Sequence, residues 1–204
     1  MNTLSHILMG KLLHQRIEKN FGIRLNRAAF IWGNVLPDFR PSFLARPHYL
    51  ENNIAYIQKQ IQTLLNKKRQ GAAMGGSYSK NLGVVCHYYA DFFCYAHSPA
   101  FPRNLTLHLK YEEDLYRYFL ENYDAFGETG AGVEAEQGEV DAGFVYGRFT
   151  GLHNEYLAQP PSYHSDLTCC IRACVQAAAL LAAVPKPAVA EEPLEQAGLS
   201  VHMV

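Results

Sequence analysis

The stretch KNLGVVCHYYADFFCYAH, residues 80–97, followed by SPAFPRN and by LTLHLKYEEDLYRYFLENY at 105–123, decides how this chain is read. Residues 80–97 are aromatic and aliphatic with little charge on any side, the composition of a helix buried all round. Pro99 and Pro102 close it. Asn104 is a natural N-cap for a next helix over 104–123, whose apolar positions are Leu105, Leu109, Leu115, Tyr116, Phe119 and Leu120. The short connection makes the two helices antiparallel neighbours.

Working outward, Leu4, Ile7, Leu8, Leu12 and Leu13 recur at helical spacing over residues 3–20, and Asn20 with Gly22 supplies a stop. A short helix over about 25–35 runs into Pro37. The three prolines of PDFRPSFLARPH, residues 37–48, predict an ordered loop. Leu50, Ile54, Ile57, Ile61, Leu64 and Leu65 define a helix over 49–69, which the glycines at 71, 75 and 76 end. After a loop at Gly127–Gly132, two further helices are expected over 138–158 and 164–183, parted by Pro160 and Pro161. No strand period appears, so the fold class is all-α. The expectation is one domain, residues 1–184, of six to seven helices around a buried metal cluster, with 185–204 a loose tail.

Composition removes several functions. Eighteen basic against nineteen acidic residues give a net charge of −1, without the basic field that an extended nucleic acid requires. The apolar runs read as too interrupted for the span of roughly 20 residues that a bilayer needs, so no transmembrane anchoring is expected. The N-terminus has no basic region ahead of an uninterrupted apolar stretch and therefore reads as cytoplasmic. Five cysteines contain no CxxC pair, which argues against a disulfide framework or a thiolate zinc site, and Cys86 and Cys94 read as small core residues.

The chemistry lies in the nine histidines. His87 and Asp91 stand at i and i+4 on the central helix, and His108 and Glu112 repeat the spacing on the next. His97 falls at the end of the central helix, where the chain turns. An isolated pair is more often a structural hydrogen bond, but two on adjacent helices are not easily dismissed. An unpaired Asp91 among Val84, Val85, Tyr88, Phe92 and Phe93 would cost several kcal/mol, and a bound cation removes that cost. Asp38, His48 and His6 complete an imidazole and carboxylate set suited to zinc at hydrolytic sites, with manganese or iron as alternatives.

The order Asp38, His48, then H-x3-D-x5-H at His87, Asp91 and His97, then H-x3-E at His108 and Glu112, with His6 upstream, resembles the zinc-dependent phospholipase C family, related to the S1/P1-type nucleases. The resemblance implies an all-helical enzyme holding two or three zinc ions. It places Asp38, His48, His87 and Asp91 on one ion and His97, His108 and Glu112 on a second. His6 and a bridging Asp91 fall on a third, which the N-terminal residue completes in secreted members. The implied activity is hydrolysis of a phosphoric ester, a phosphodiester such as a phospholipid, by a water activated between the ions, with Asp38 also orienting or deprotonating it. Phe39 falls where lipase members line a head-group pocket. A nuclease, a phosphomonoesterase or a non-catalytic zinc scaffold are the alternatives. His14 is a lesser candidate in place of His6. His153, His164 and His202 fall outside the pattern, and Arg40 and Arg46 flank the ligand loop.

Overall fold

The computed structural model describes residues 1–39, 49–128 and 140–183. Among these there are eight α-helices and no strand: α1 (Thr3–Phe21), α2 (Arg27–Phe39), α3 (Leu50–Arg69), α4 (Gly76–Phe92), α5 (Leu105–Glu121), α6 (Tyr123–Glu128), α7 (Ala142–Leu157) and α8 (Tyr163–Ala183). A 3-10 turn at Tyr95–His97 joins α4 to the connection before α5. The short α6 accounts for the helix beyond the six to seven expected. His48, Arg40, Arg46, His202 and the tail at 185–204 lie outside the described residues.

The fold is built around α4, every residue of which is buried from Leu82 to Phe92, with Gly76, Ser77, Lys80 and Asn81 less covered at its start. Three other helices bring apolar stripes to it. Leu12, Leu13 and Ile17 come from α1, Ile57, Ile61, Leu64 and Leu65 from α3, and Leu167, Cys170, Ile171, Cys174 and Leu181 from α8, all within one continuous core. Burial of each such aliphatic side chain contributes about 1.5–3 kcal/mol. Cys86, Cys94, Cys170 and Cys174 are sealed in the same core, whereas Cys169 is half-buried.

Among the described residues, the α2–α4 pair makes the most extensive helix contact. Its cause is two glycines. A Cβ on Gly33 would lie 2.1 Å from the Lys80 carbonyl oxygen, and one on Gly83 would lie 2.3 Å from that of Phe30, so only hydrogen at both positions lets the backbones meet. This crossing sets the distance between the residues that follow, Asn34 and Asp38 on α2 and His87 on α4.

Several boundaries differ from the sequence expectation. Helix α2 continues through Pro37 to Phe39. Proline there forfeits one helical hydrogen bond within the last turn, a smaller loss than in a helix centre. Helix α4 begins earlier, at Gly76, and ends at Phe92, so His97 belongs to the separate 3-10 turn and not to the central helix. In α1 the first turn buries Ser5 and His6 while Leu4 is 51% exposed, so a polar face turns inward. Residues 163–182 of α8 are, by length and composition, apolar enough to cross a membrane, which corrects the expectation that no such stretch exists. With 61% of the stretch buried against neighbouring helices, it serves here as a core element.

The caps follow the sequence. Gly22 ends α1 at φ 63°, a left-handed conformation suited to glycine, and its N–H donates to the Glu18 carbonyl. The Asn104 side chain accepts from Leu107 N at 3.0 Å and opens α5 as its N-cap.

Candidate metal centre

Seven of the eight candidate ligands lie in described residues, and all seven converge. His6 comes from the first turn of α1, Asp38 from the end of α2, and His87 and Asp91 from α4. His97 comes from the 3-10 turn, and His108 and Glu112 from α5. Two groups of three have donor atoms all within 4.8 Å of one another: His6, His87 and Asp91, and His97, His108 and Glu112.

In the first group the rings of His6 and His87 stack at 3.9 Å. His6 Nε2 lies 3.2 Å from Asp91 Oδ1, and His87 Nε2 lies 3.3 Å from Asp91 Oδ2. The two oxygens of one carboxylate thus serve two imidazoles. His87 Nδ1 donates to the Asn34 carbonyl at 2.8 Å, which leaves Nε2 as the nitrogen facing the carboxylates. Asp38 approaches from α2, with Oδ1 3.8 Å from His87 Nε2 and Oδ2 accepting from Thr3 Oγ1 at 2.8 Å.

In the second group both imidazoles converge on Glu112 Oε1, with His97 Nε2 at 3.0 Å and His108 Nε2 at 3.1 Å. His97 Nε2 is also 3.7 Å from Asp91 Oδ1, so Asp91 stands between the two groups.

The Met1 amine occupies the space between the carboxylates. It is hydrogen-bonded to Asp91 Oδ1, lies 3.0 Å from Glu112 Oε1 and is 2.9 Å from His97 Nε2. Asn2 reinforces this seat by donating to the Glu112 carbonyl at 3.3 Å. Burial disfavours the ammonium, but Asp91 and Glu112 hold its pKa well above the ordinary value. Burial likewise opposes the charge on Asp91, yet the ammonium and the imidazoles of His97, His6 and His87 keep it well below the usual carboxylate range. Glu112 is held low in the same manner, its burial outweighed by the ammonium and by bonds from His108 and His97. Burial and the ammonium together lower the His97 pKa, despite Asp91 and Glu112.

The donors fit zinc on two observations. A cation sits between the carboxylates, where metal charge would be accommodated. His6, completely buried, has neither ring nitrogen in a well-directed hydrogen bond among the described residues, its Nε2 only lying 3.2 Å from Asp91 Oδ1, and a buried imidazole so poorly bonded is stabilised by an ion that uses it. The set is entirely imidazole and carboxylate, as tetrahedral zinc at hydrolytic sites accepts.

The resemblance gives His6 and His87 to neighbouring ions that share Asp91, and the structure sets the two rings side by side. His6 packs directly on His87, so His6, His87 and Asp91 form a single compact group, with Asp38 beside it. The remaining histidines have other partners. His14 is held by the Leu25 carbonyl at 3.2 Å, His153 by that of Phe92 at 3.0 Å, and His164 by the Tyr118 hydroxyl at 3.3 Å. Phe39 is 59% exposed and stacks on Trp32 at 6.1 Å. A cavity of about 320 Å³ opens beside His108, lined by Tyr49, Phe101, Pro102, Arg103, Asn104 and Leu105. Sequence reasoning did not find Asn34, Thr3 or Arg103, whereas an N-terminal residue at the site was implied by the resemblance, and the Met1 amine bonds Asp91.

Comparison with curated proteins and with solved structures gives no significant match. A family model described as zinc dependent phospholipase C, by contrast, matches residues 5–163. The matched segment runs from just ahead of His6 to the first residue of α8, and so takes in both donor groups and every helix that carries them. On that match the chain belongs to the zinc-dependent phospholipase C family, a family of enzymes.

Proposed function

We propose that this protein hydrolyses a phosphodiester, a phospholipid first, through zinc held by its two donor groups. The observation that carries the reading is Asp91, a fully buried carboxylate placed between His6 and His87 on one side and His97 on the other.

His6, His87 and Asp91, with Asp38 beside them, would hold metal on the inner side, and the resemblance adds His48 to that set. His97, His108 and Glu112 would hold it at the cavity. Zinc there supplies Lewis acidity, lowering the pKa of a water and offsetting charge on the phosphoryl oxygens. The chain's own residues then have separate tasks. Asn34 fixes the tautomer of His87 by accepting from Nδ1, so that Nε2 presents a lone pair. Asp38 is only partly covered, and its Oδ1 is not committed to the Thr3 hydroxyl; it orients an attacking water and accepts its proton. Arg103, the formal positive charge in the cavity lining, faces the phosphoryl group. Phe39 and Trp32 offer an exposed aromatic pair to the apolar or choline-like part of a lipid.

The test combines elemental analysis with a substrate panel on one preparation made without chelators. Two or three zinc ions per chain, and faster turnover of a soluble short-chain phospholipid or a chromogenic phosphocholine ester than of single-stranded DNA, are expected. Less than one tightly bound metal per chain overturns the metal reading. Faster cleavage of DNA, nucleotides or phosphomonoesters moves the assignment to the nuclease or phosphomonoesterase branch, and metal without turnover of any ester makes the protein a zinc scaffold.

A further inference from the structure

Asp166 lies beyond the residues matched by the family and touches none of the candidate ligands, yet it is completely buried in the first turn of α8. Its Oδ2 accepts from the backbone N–H of Tyr95 at 2.9 Å and from the Tyr111 hydroxyl at 2.9 Å. Its Oδ1 accepts from the Tyr156 hydroxyl at 2.9 Å. A buried carboxylate is costly unless hydrogen-bonded, and these three donors satisfy it.

The placement of those donors is informative. Tyr95 opens the 3-10 turn that ends at His97, and Tyr111 immediately precedes Glu112 on α5. One oxygen therefore joins the two segments that supply His97 and Glu112, while the other oxygen joins α7. The turn needs such support. Its own backbone bonds are His97 N to the Cys94 carbonyl at 2.8 Å and Ser98 N to the Tyr95 carbonyl at 2.9 Å, and an isolated 3-10 turn is a weak element.

We propose that Asp166 is a positioning residue for the His97, His108 and Glu112 group: Oδ2 sets the separation of the 3-10 turn from α5 and so preorganises the donors for zinc. This rests on the reading that the group holds zinc. Outer residues that orient metal ligands typically affect affinity by about 10- to 100-fold.

The decisive comparison is Tyr111→Phe against Tyr156→Phe. Each removes one hydroxyl from the same carboxylate, but only Tyr111 adjoins a ligand. Zinc affinity is measured by competition with a chromogenic chelator, geometry by the visible absorption of the cobalt-loaded protein, and stability by thermal melting. Tyr111→Phe is expected to weaken one zinc ion about tenfold and to change the cobalt band. Tyr156→Phe, which strips a donor from the fully buried side, lowers the melting temperature at least as much and leaves affinity and spectrum as in the wild type. Asp166→Asn retains a side-chain oxygen for Tyr95 and Tyr111 and keeps the affinity, whereas Asp166→Leu loses it. If Asp166→Leu does not fold, the tyrosine pair decides. Affinity unchanged in Tyr111→Phe, or falling with melting temperature in both tyrosine variants, overturns the proposal. A wild-type protein that takes up no zinc overturns this proposal together with the proposed function, whereas zinc uptake unaltered by Tyr111→Phe overturns the positioning role alone.

Discussion

His6, His87 and Asp91 are sealed, each with a side chain that no solvent reaches, whereas His97, His108 and Glu112 stand at a cavity edge, with the His108 side chain 24% exposed. The two groups share a chemistry and are built by different means. The sealed group joins α1 to α4 and is backed by Asn34 and Asp38 of α2, whose approach to α4 requires glycine at 33 and 83. The edge group depends on one turn and one helix tied to a buried carboxylate. On the proposed reading, an ion in the first would exchange slowly and one in the second would meet substrate. Burial decides which role each set of ligands can take.

The most damaging way to break the comparison is to remove the residue between the groups. Asp91→Asn is expected to abolish hydrolysis and to lower the zinc content by more than one ion, because a neutral amide cannot serve both sides. His153→Ala, which alters a ring held by the Phe92 carbonyl, leaves zinc content unchanged. Equal losses in the two variants would assign the damage to folding.

Gly33→Ala separates the groups. The obstruction is the Lys80 carbonyl at 2.1 Å, which is backbone and cannot rotate aside. Overpacking of this kind costs about 3 kcal/mol. Because the displaced α2 carries Asn34 and Asp38, zinc should be lost from the sealed group and kept at the edge group. Chelator titration of the folded variant counts the ions that remain.

The edge group's support can be tested by pH. Burial pushes the Asp166 carboxyl up to about 6, with the bonds from Tyr95, Tyr156 and Tyr111 opposing it. The native state thus holds this proton more tightly than the unfolded chain, whose aspartates titrate near about 3.9. The stabilisation is complete below that value and is lost as pH rises through about 6. Relative to Asp166→Asn, the wild type should lose up to about 3 kcal/mol between roughly pH 4 and 7, measured by urea unfolding. A difference that does not vary with pH would show that the carboxyl is ionised throughout.

Arg103→Glu should have the smallest effect. It lies at the surface of the cavity, so melting temperature stays constant while kcat/KM for a phosphodiester falls about three- to tenfold, the scale of an exposed charge pair reversed in sign. No change would place the phosphoryl group elsewhere along the site.

Much of this was legible in the sequence, for identifiable reasons. The i, i+4 spacing of His87 with Asp91 and of His108 with Glu112 is local, and helical periodicity carries it directly. The all-helical class and the buried character of residues 80–92 follow from composition in the same way. What escaped was non-local. Gly33 and Gly83 are each a single glycine within a helix, and only their meeting gives them meaning. Nothing in the sequence says that Tyr95, Tyr111 and Tyr156 share Asp166. The break after Phe92 was hidden by continued hydrophobicity through Cys94 and Tyr95. Extension of α2 through Pro37 was missed because proline was read as a stop, although in a last turn it forfeits little.

The sealed cysteines give the bundle a built-in clock. Burial pushes the Cys94 and Cys174 thiols well up from their ordinary range, so almost no thiolate exists at neutral pH in the closed state. Cys94 lies two residues before Ala96 in the cavity wall and Cys174 lies against the Cys86 carbonyl, which sets one reporter near the edge group and another deep beneath the sealed one. Each can react with a thiol dye only during an opening of its own neighbourhood, so the order in which they label would trace how the molecule comes apart. Slower labelling of Cys94, with Cys174 unchanged, on adding zinc would show that the ion holds the edge of the site against opening.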